Sequence, residues 1–372
     1  MSDPRIRVML VDDAAVIRGL VKRMVEPEAD IEVVASVANG ELAVNSLKRN
    51  PVDVIVLDIE MPVMDGLTAL PKLLEVDPDV KVLMSSTLTL GNAEISMQAL
   101  KLGAADYIPK PTSAGEMGST SDFRRELVDK IRSLGTARSR VSTVPRTSSS
   151  ANAGAPVPKP GAKSLYPGGF NLRPITSRAR PEIIAIGSST GGPKALFQVL
   201  KNIRPDVKVP IIITQHMPAS FTAILATHIG QAAGRPCQEA KDGEVLMAGN
   251  IYVAPGGYHM VVESQGVNRV LRTNQDPPEN FCRPAVDPMF RSVAGIYGNR
   301  ALAVILTGMG NDGSKGGKVI VEAGGTVIAQ DEPTSVVWGM PGAAATAGIC
   351  SAVLSLDELA PYISDFLLKG AA

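Results

Sequence analysis

The stretch IRVMLVDD (residues 6–13) decides how the first part of the chain reads. A run dominated by Ile, Val, Met and Leu stops at two aspartates, as a buried strand does when its carboxyl end opens into a polar loop. Four runs of the same kind follow, IEVVASV (31–37), VDVIVLD (52–58), VKVLMSS (80–86) and ADYIP (105–109), separated by helix-like stretches near 14–25, 40–49, 66–76 and 92–102. Strands alternating with helices require a parallel sheet covered on both faces. The last part repeats this logic with EIIAIG (182–187), VPIIIT (209–214), ALAVILTG (301–308) and GTVIAQ (325–330), around a turn-rich stretch, 245–275, that reads as an antiparallel hairpin. The expected fold class is α/β, with two doubly wound parallel-sheet domains.

At 372 residues the chain has room for two or three domains. Its 37 basic and 37 acidic side chains cancel, which excludes bulk charge as the basis of nucleic-acid binding. The balance hides an asymmetry. Residues 1–132 carry 21 acids and 15 bases, a net of −6; residues 133–181 carry eight bases and no acid; residues 182–372 carry 16 acids and 14 bases, a net of −2. The middle part holds TSSSANAGAPVPKPGAK (147–163), too poor in large apolar groups to offset its ordering entropy, so it reads as a tether. The rival reading, a basic arm on nucleic acid, is disfavoured because the charges are sparse. The expected boundaries are a first domain over 1–125, a basic Ser/Pro/Ala-rich linker over 126–180 and a second domain over 181–372. Three scattered cysteines, Cys237, Cys282 and Cys350, show neither a disulfide framework nor metal-ligand spacing. The amino-terminal apolar run is too short for a secretory segment, and no stretch of about 20 apolar residues occurs, so a cytoplasmic location is expected.

Ligands of a doubly wound sheet bind outside the carboxyl ends of its strands. In the first domain those ends supply Asp12 and Asp13, Asp58, Ser85 and Ser86, and then Lys110. Gathered carboxylates make a hard-cation site suited to Mg²⁺, and a hydroxyl and an ammonium beside them suit phosphoryl oxygens. With VDD (11–13), LDIEMPVMDG (57–66), SST (85–87) and YIPKP (107–111), residues 5–125 resemble a response-regulator receiver domain. The resemblance implies a flavodoxin-like fold and phosphoryl transfer to Asp58 from a histidine kinase. It implies Mg²⁺ on Asp12, Asp13, Asp58 and the backbone carbonyl of Glu60, with Lys110 pairing with the phosphoryl group. Ser86 would be the responding hydroxyl, with Ser85 the alternative one position earlier.

In the second domain, IGSSTGGPKAL (186–196) places a serine between a strand and a helix opening at Pro193, where free backbone N–H groups could stabilise an oxyanion or hold a phosphate. TQHMP puts His216 at the carboxyl end of the next strand, and TGMGNDG (307–313) contributes Asp312 after another. A serine, an imidazole and a carboxylate from three strand ends are what nucleophilic acyl transfer needs. His228, in SFTAILATHIG, and His259, in PGGYHM, read as structural. Gly308, Gly310 and Gly313 spell a passable dinucleotide fingerprint, with Asp331 further on. That reading is disfavoured because it does not open a βαβ half and leaves Ser189 and His216 unexplained.

Residues 182–369 resemble the chemotaxis protein-glutamate methylesterases, the CheB family, through IGSSTGGP, IIITQHMP, YVAPGGYHM, RPAVDPMF and VILTGMGNDG. The resemblance implies a Rossmann-like methylesterase domain with Ser189 as nucleophile, His216 as general base and Asp312 as its orienting carboxylate. The backbone N–H groups of Met309 and Thr190 are the implied oxyanion hole. The implied activity is demethylation of glutamate methyl esters, with deamidation of certain glutamines, on the cytoplasmic regions of methyl-accepting chemotaxis receptors. No cofactor is implied for ester hydrolysis. Phosphorylation of Asp58 by the chemotaxis histidine kinase CheA, with Mg²⁺, would set the rate. The expected protein is a monomer that binds no nucleic acid and meets the membrane only through receptors. Two alternatives stay open: a binding regulator with a vestigial pocket, and a methylesterase of a non-chemotaxis receptor-like system.

Overall fold

Each apolar run of the first part becomes a strand: β1 (Ile6–Val11), β2 (Ile31–Val37), β3 (Val54–Asp58), β4 (Lys81–Ser86) and β5 (Asp106–Pro109). They form a five-stranded sheet in the order β2-β1-β3-β4-β5, every pair parallel. The helices are α1 (Ala15–Val25), α2 (Gly40–Arg49), α3 (Gly66–Val76), α4 (Leu90–Leu102) and α5 (Met117–Val141). Local chemistry starts two of them: the Asn39 side chain accepts from Leu42 N at 2.9 Å, and that of Asp65 from Thr68 N at 2.7 Å. The computed structural model describes residues 5–87, 89–110, 117–141, 169–175, 177 and 179–369, in two compact units.

Helix α5 departs from the expectation that a linker begins at 126. Phe123, Leu127, Ile131 and Leu134 recur at helical spacing and are all buried, so the stretch continues the first unit instead of leaving it. The Lys130 ammonium fixes it to β5 by bonds of 2.8 Å to Asp106 Oδ2 and 2.7 Å to the Tyr107 carbonyl. Most of the basic tether expected after this helix lies outside the described residues.

The second unit has seven parallel strands in the order β14-β13-β12-β6-β7-β9-β8. These are β6 (Ile183–Ser188), β7 (Ile211–Gln215), β8 (Cys237–Glu239), β9 (Ile251–Val253), β12 (Ala301–Ile305), β13 (Thr326–Gln330) and β14 (Ala352–Leu354). The expected hairpin is smaller than 245–275. Strands β10 (His259–Gln265) and β11 (Asn268–Asn274) form the antiparallel hairpin, with an isolated antiparallel bridge from Val245 to Val270, while β9, inside that stretch, joins the parallel sheet. Helices α6 (Gly192–Asn202), α7 (Ala219–Ala233), α8 (Val286–Tyr297), α9 (Ser314–Glu322), α10 (Met340–Thr346) and α11 (Leu356–Lys369) complete the unit. Strands β6, β7, β12 and β13 are buried along their whole length, which accounts for their unbroken apolar runs. Among the described residues, no helix is long and apolar enough to cross a membrane.

Candidate active site

Where strand order reverses in a doubly wound sheet, the loops at the carboxyl edge part and leave a crevice. In the second unit the reversal lies between β6 and β12, and β7 flanks β6 on the other side. The loops after these three strands carry Ser189, Asp312 and His216, so topology alone brings the three to one edge.

After β6 the chain turns through Gly191, whose φ of 77° is a conformation that only glycine adopts without strain. The two serines have different surroundings. Ser188 is fully buried and donates to Gln215 Oε1 at 2.7 Å. Ser189 is half-buried, and its hydroxyl forms no hydrogen bond among the described residues. Gln215 clamps this turn to the histidine loop, its Nε2 donating to the carbonyls of Ser189 at 2.9 Å and His216 at 3.2 Å. Gly308 lies so close that a Cβ there would stand 2.9 Å from the Ser189 Cβ. The neighbouring Met309 is half-buried, and its N–H is uncommitted among the described residues. Thr190 follows Ser189 directly, and its carbonyl accepts from Thr307 Oγ1 at 2.9 Å.

His216 sits between two partners. Its Nε2 is 2.8 Å from Asp312 Oδ2, and its Nδ1 is 3.3 Å from Cys282 Sγ. Asp312 is held from several sides. Its Oδ2 accepts from Val286 N at 2.6 Å, and its Oδ1 from Asp287 N at 3.0 Å, Gly313 N at 2.9 Å and Asn280 Nδ2 at 2.9 Å. The first two donors open α8 and the third precedes α9, so the carboxylate lies at two helix amino termini, where aligned peptide dipoles favour negative charge. Asn280 Nδ2 also reaches Asp287 Oδ2 at 3.1 Å, and Asp287 Oδ1 accepts from Gly316 N at 2.6 Å.

Burial alone would raise the Asp312 carboxyl, but His216 and the backbone donors outweigh it and hold it below the usual carboxylate value. Burial raises Asp287, and the Asp312 charge adds to the effect. Burial disfavours the His216 imidazolium, yet the Cys282 sulfur and the Asp312 carboxylate prevail and hold that imidazole at about 10. The other histidines are structural, as expected. His259 is buried between the Pro277 carbonyl at 3.2 Å and Ala285 N at 3.2 Å, and His228 is buried in α7. The glycines of the fingerprint-like segment build the turn that delivers Asp312, Gly310 at φ 83° and Gly313 at φ 84°.

Sequence reasoning did not single out Gln215, Asn280, Cys282 or Asp287. Asn280 and Cys282 lie in an aperiodic stretch and reach residues 32 and 66 positions away, and no local pattern encodes such contacts. Asp287 left a faint signal, as an acid within the otherwise apolar AVDPMF.

In the first unit the corresponding crevice lies between β1 and β3. Asp12, Asp13 and Asp58 each offer a carboxylate oxygen within 4.8 Å of the others. Lys110 Nζ stands 2.7 Å from both Asp12 Oδ2 and Asp58 Oδ1. Burial raises the Asp58 carboxyl despite Lys110. Burial also pulls the Lys110 ammonium down, but the two carboxylates more than compensate. Three hard oxygen donors facing one ammonium leave negative charge for a further cation, so the set fits Mg²⁺. Ser85 pairs in register with Asp58; Ser86 lies one residue nearer the edge, its carbonyl accepting from Lys110 N at 2.7 Å. Glu60 is exposed in the loop beyond β3.

A family model for the CheB methylesterase matches residues 184–363, and one for the response regulator receiver domain matches residues 8–120. A protein-glutamate methylesterase/protein-glutamine glutaminase 1 of Paramagnetospirillum magneticum is 61% identical over 96% of this chain and 95% of its own length. A protein of the same name from Rhodospirillum rubrum is 58% identical over 96% of this chain and 94% of its own length. The crystal structure of the Thermotoga maritima CheB methylesterase catalytic domain is 37% identical, with a TM-score of 0.49, over 50% of this chain and 100% of that one. The chain thus belongs to the CheB methylesterase family, the receiver-bearing protein-glutamate methylesterases/protein-glutamine glutaminases.

Proposed function

We propose that the second unit hydrolyses methyl esters of glutamate side chains, and deamidates certain glutamines, on the cytoplasmic regions of methyl-accepting chemotaxis receptors. Ser189 Oγ attacks the ester carbonyl and passes its proton to His216 Nδ1, the nitrogen not committed to Asp312. The N–H groups of Met309 and Thr190 receive the developing oxyanion, and methanol leaves with the proton from His216. Water, deprotonated by the same imidazole, then attacks the acyl-enzyme and releases glutamate. A glutamine follows the same path with ammonia as the leaving group. The observation that carries this reading is the His216–Asp312 pair at 2.8 Å, its carboxylate fixed by three backbone donors and Asn280. Ser189 is favoured over Ser188 because the Ser188 hydroxyl is committed to Gln215.

The first unit is read as the control element, accepting a phosphoryl group on Asp58 from the histidine kinase CheA. Asp12, Asp13, Asp58 and the Glu60 carbonyl would hold Mg²⁺, which would supply the positive charge that neutralises the phosphoryl oxygens. Lys110 and Ser86 hold the same oxygens. This reading makes the protein cytoplasmic, monomeric and peripheral to the membrane only through its receptor substrates. Methanol release from methylated receptor membranes, with and without a phosphodonor, tests it. No release by the intact protein would overturn the esterase reading, and release from a Ser189→Ala variant would overturn the nucleophile.

A further inference from the structure

A nucleophile other than Ser189 stands beside His216. With Nε2 on Asp312, the ring presents Nδ1 to Cys282 Sγ at 3.3 Å, within reach of an S–H···N bond. Thiol, imidazole and carboxylate therefore stand in line, the order in which a thiolate–imidazolium pair forms. The neighbouring chain keeps the thiol there. Glu279 and Cys282 exchange backbone hydrogen bonds of 3.2 and 2.9 Å, and Arg291 Nη1 holds the Glu279 carboxylate at 2.9 Å. Asn280, two residues earlier, is fastened to Asp312. Cys282 is half-buried, and its neighbour Phe281 is 82% exposed, so the turn bearing the thiol borders solvent. The other two thiols differ. Cys237 and Cys350 have no imidazole partner among the described residues, and burial pushes both thiols up to about 12.

We propose that Cys282 is a thiol-modification site, at which a low-molecular-weight disulfide forms a mixed disulfide that silences the esterase by occupying the cleft side of His216. The Cys282 proton moves to Nδ1, and the thiolate attacks one sulfur of the disulfide. A new S–S bond forms as the old one breaks. Cys282 sulfur is oxidised, the departing sulfur is reduced, and that thiolate takes the proton from the imidazolium. The adduct stands where Ser189 must deliver its proton, so one imidazole cannot serve both. The silencing step rests on the Ser189 esterase reading; the reactivity of Cys282 does not.

The test uses the full chain. Iodoacetamide labelling followed by peptide mass spectrometry is expected to alkylate Cys282 at least ~10-fold faster than Cys237 and Cys350, as a paired thiolate does. A Cys282 rate equal to that of the other two overturns the pair. In His216→Asn the Cys282 rate should drop to that of an ordinary thiol; an unchanged rate in a variant folded by circular dichroism also overturns it. Oxidised glutathione is then expected to add one glutathione at Cys282 and to abolish methanol release, with recovery on adding dithiothreitol. In Cys282→Ser the same treatment should leave the fraction of activity unchanged. Full activity with Cys282 fully modified overturns the silencing. Absence of methanol release before any treatment would instead count against the esterase reading, and the labelling rates would still decide the pair.

Discussion

The two crevices occupy the same place in two doubly wound sheets, yet they handle negative charge in opposite ways. In the first unit three carboxylates converge within 4.8 Å, and one ammonium, Lys110, bridges two of them. The charge is not balanced from within, so the pocket is built to be completed by a cation. In the second unit one carboxylate, Asp312, is satisfied by three backbone N–H groups, an amide and an imidazole. There the charge is spent on fixing His216. On the function proposed above, the first crevice would hold an ion and the second would move a proton, although the fold, strand direction and edge are the same. What differs is whether helix amino termini point at the acid. Asp312 has two, whereas Asp58 receives a single local N–H, from Ile59 at 2.8 Å.

The sharpest way to break this comparison is at the serines. Ser189→Ala should cost several orders of magnitude in kcat, since loss of a nucleophile that works as a unit with its base can reach about 10⁶-fold. Ser188→Ala removes a buried hydroxyl that orders Gln215, so it should cost far less, about tenfold or under, with a stability loss of about 1–2 kcal/mol. Methanol release and thermal unfolding of the two variants check this. The reverse ranking would mean that the committed hydroxyl, and not the free one, carries the chemistry.

The next effect lies in the receiver crevice. Acetyl phosphate with Mg²⁺ should label the wild type to near one phosphate per chain, and Asp58→Asn should lose the label. Chelation of Mg²⁺ should suppress labelling without lowering the basal rate of methanol release. That dissociation follows from the charge balance: only one of the two crevices is short of a cation. A basal esterase rate that collapses with chelation would break the comparison outright.

Much of the positioning was legible in the sequence. Buried parallel strands are mostly apolar and open into polar loops at their carboxyl ends, so Asp58 stood at a strand end, Asp12, Ser189 and His216 just past one, and Asp312 in the Gly-rich loop seven residues after β12. Helix α5 was missed even though Phe123, Leu127, Ile131 and Leu134 mark a helical stripe. Its final residues, from Ser133 on, carry bases and no acid, as the tether does. The loop holding Asn280 and Cys282 was illegible for another reason. Its residues are fixed by tertiary bonds to Asp312 and His216, and it has no period of its own.

Cys282 also sharpens the comparison through pH. With His216 held at about 10, the imidazole stays protonated through neutrality, and hydrolysis should climb with pH as the base is freed. Cys282 leads the influences that raise it, so Cys282→Ser should lower that value and move the acidic limb of the kcat/KM profile to lower pH. The pairing also stabilises the fold. A raised imidazole contributes its full share below its ordinary value of 6.5 and loses it as pH rises through about 10, so the wild type should lose more stability over that window than Cys282→Ser. A limb that does not move in the variant would assign the shift to Asp312 alone.

The smallest expected effect separates two adjacent residues that share one backbone conformation. Asn280 has φ 51° and Phe281 φ 62°, both left-handed. Asparagine tolerates that region, whereas an aromatic residue is held there at a cost of about 1–2 kcal/mol. Phe281 is 82% exposed. Phe281→Gly should therefore relieve the strain and, after the greater freedom of glycine in the unfolded chain is subtracted at about 0.4–1 kcal/mol, leave a net gain near 0.5–1 kcal/mol. In a unit of this size that is a rise of about 1–4 °C in Tm. Asn280→Gly keeps the same backbone but deletes the amide that ties Asp312 to Asp287, leaving two buried carboxylates to repel each other. It should lower Tm and hydrolysis together. Opposite signs at neighbouring positions are expected, because Asn280 restrains the Asp312 carboxylate whereas Phe281 is carried by the turn at a cost. If both glycine variants lost stability alike, the Phe281 ring would be supporting the loop, and the strain assigned to it would be wrong.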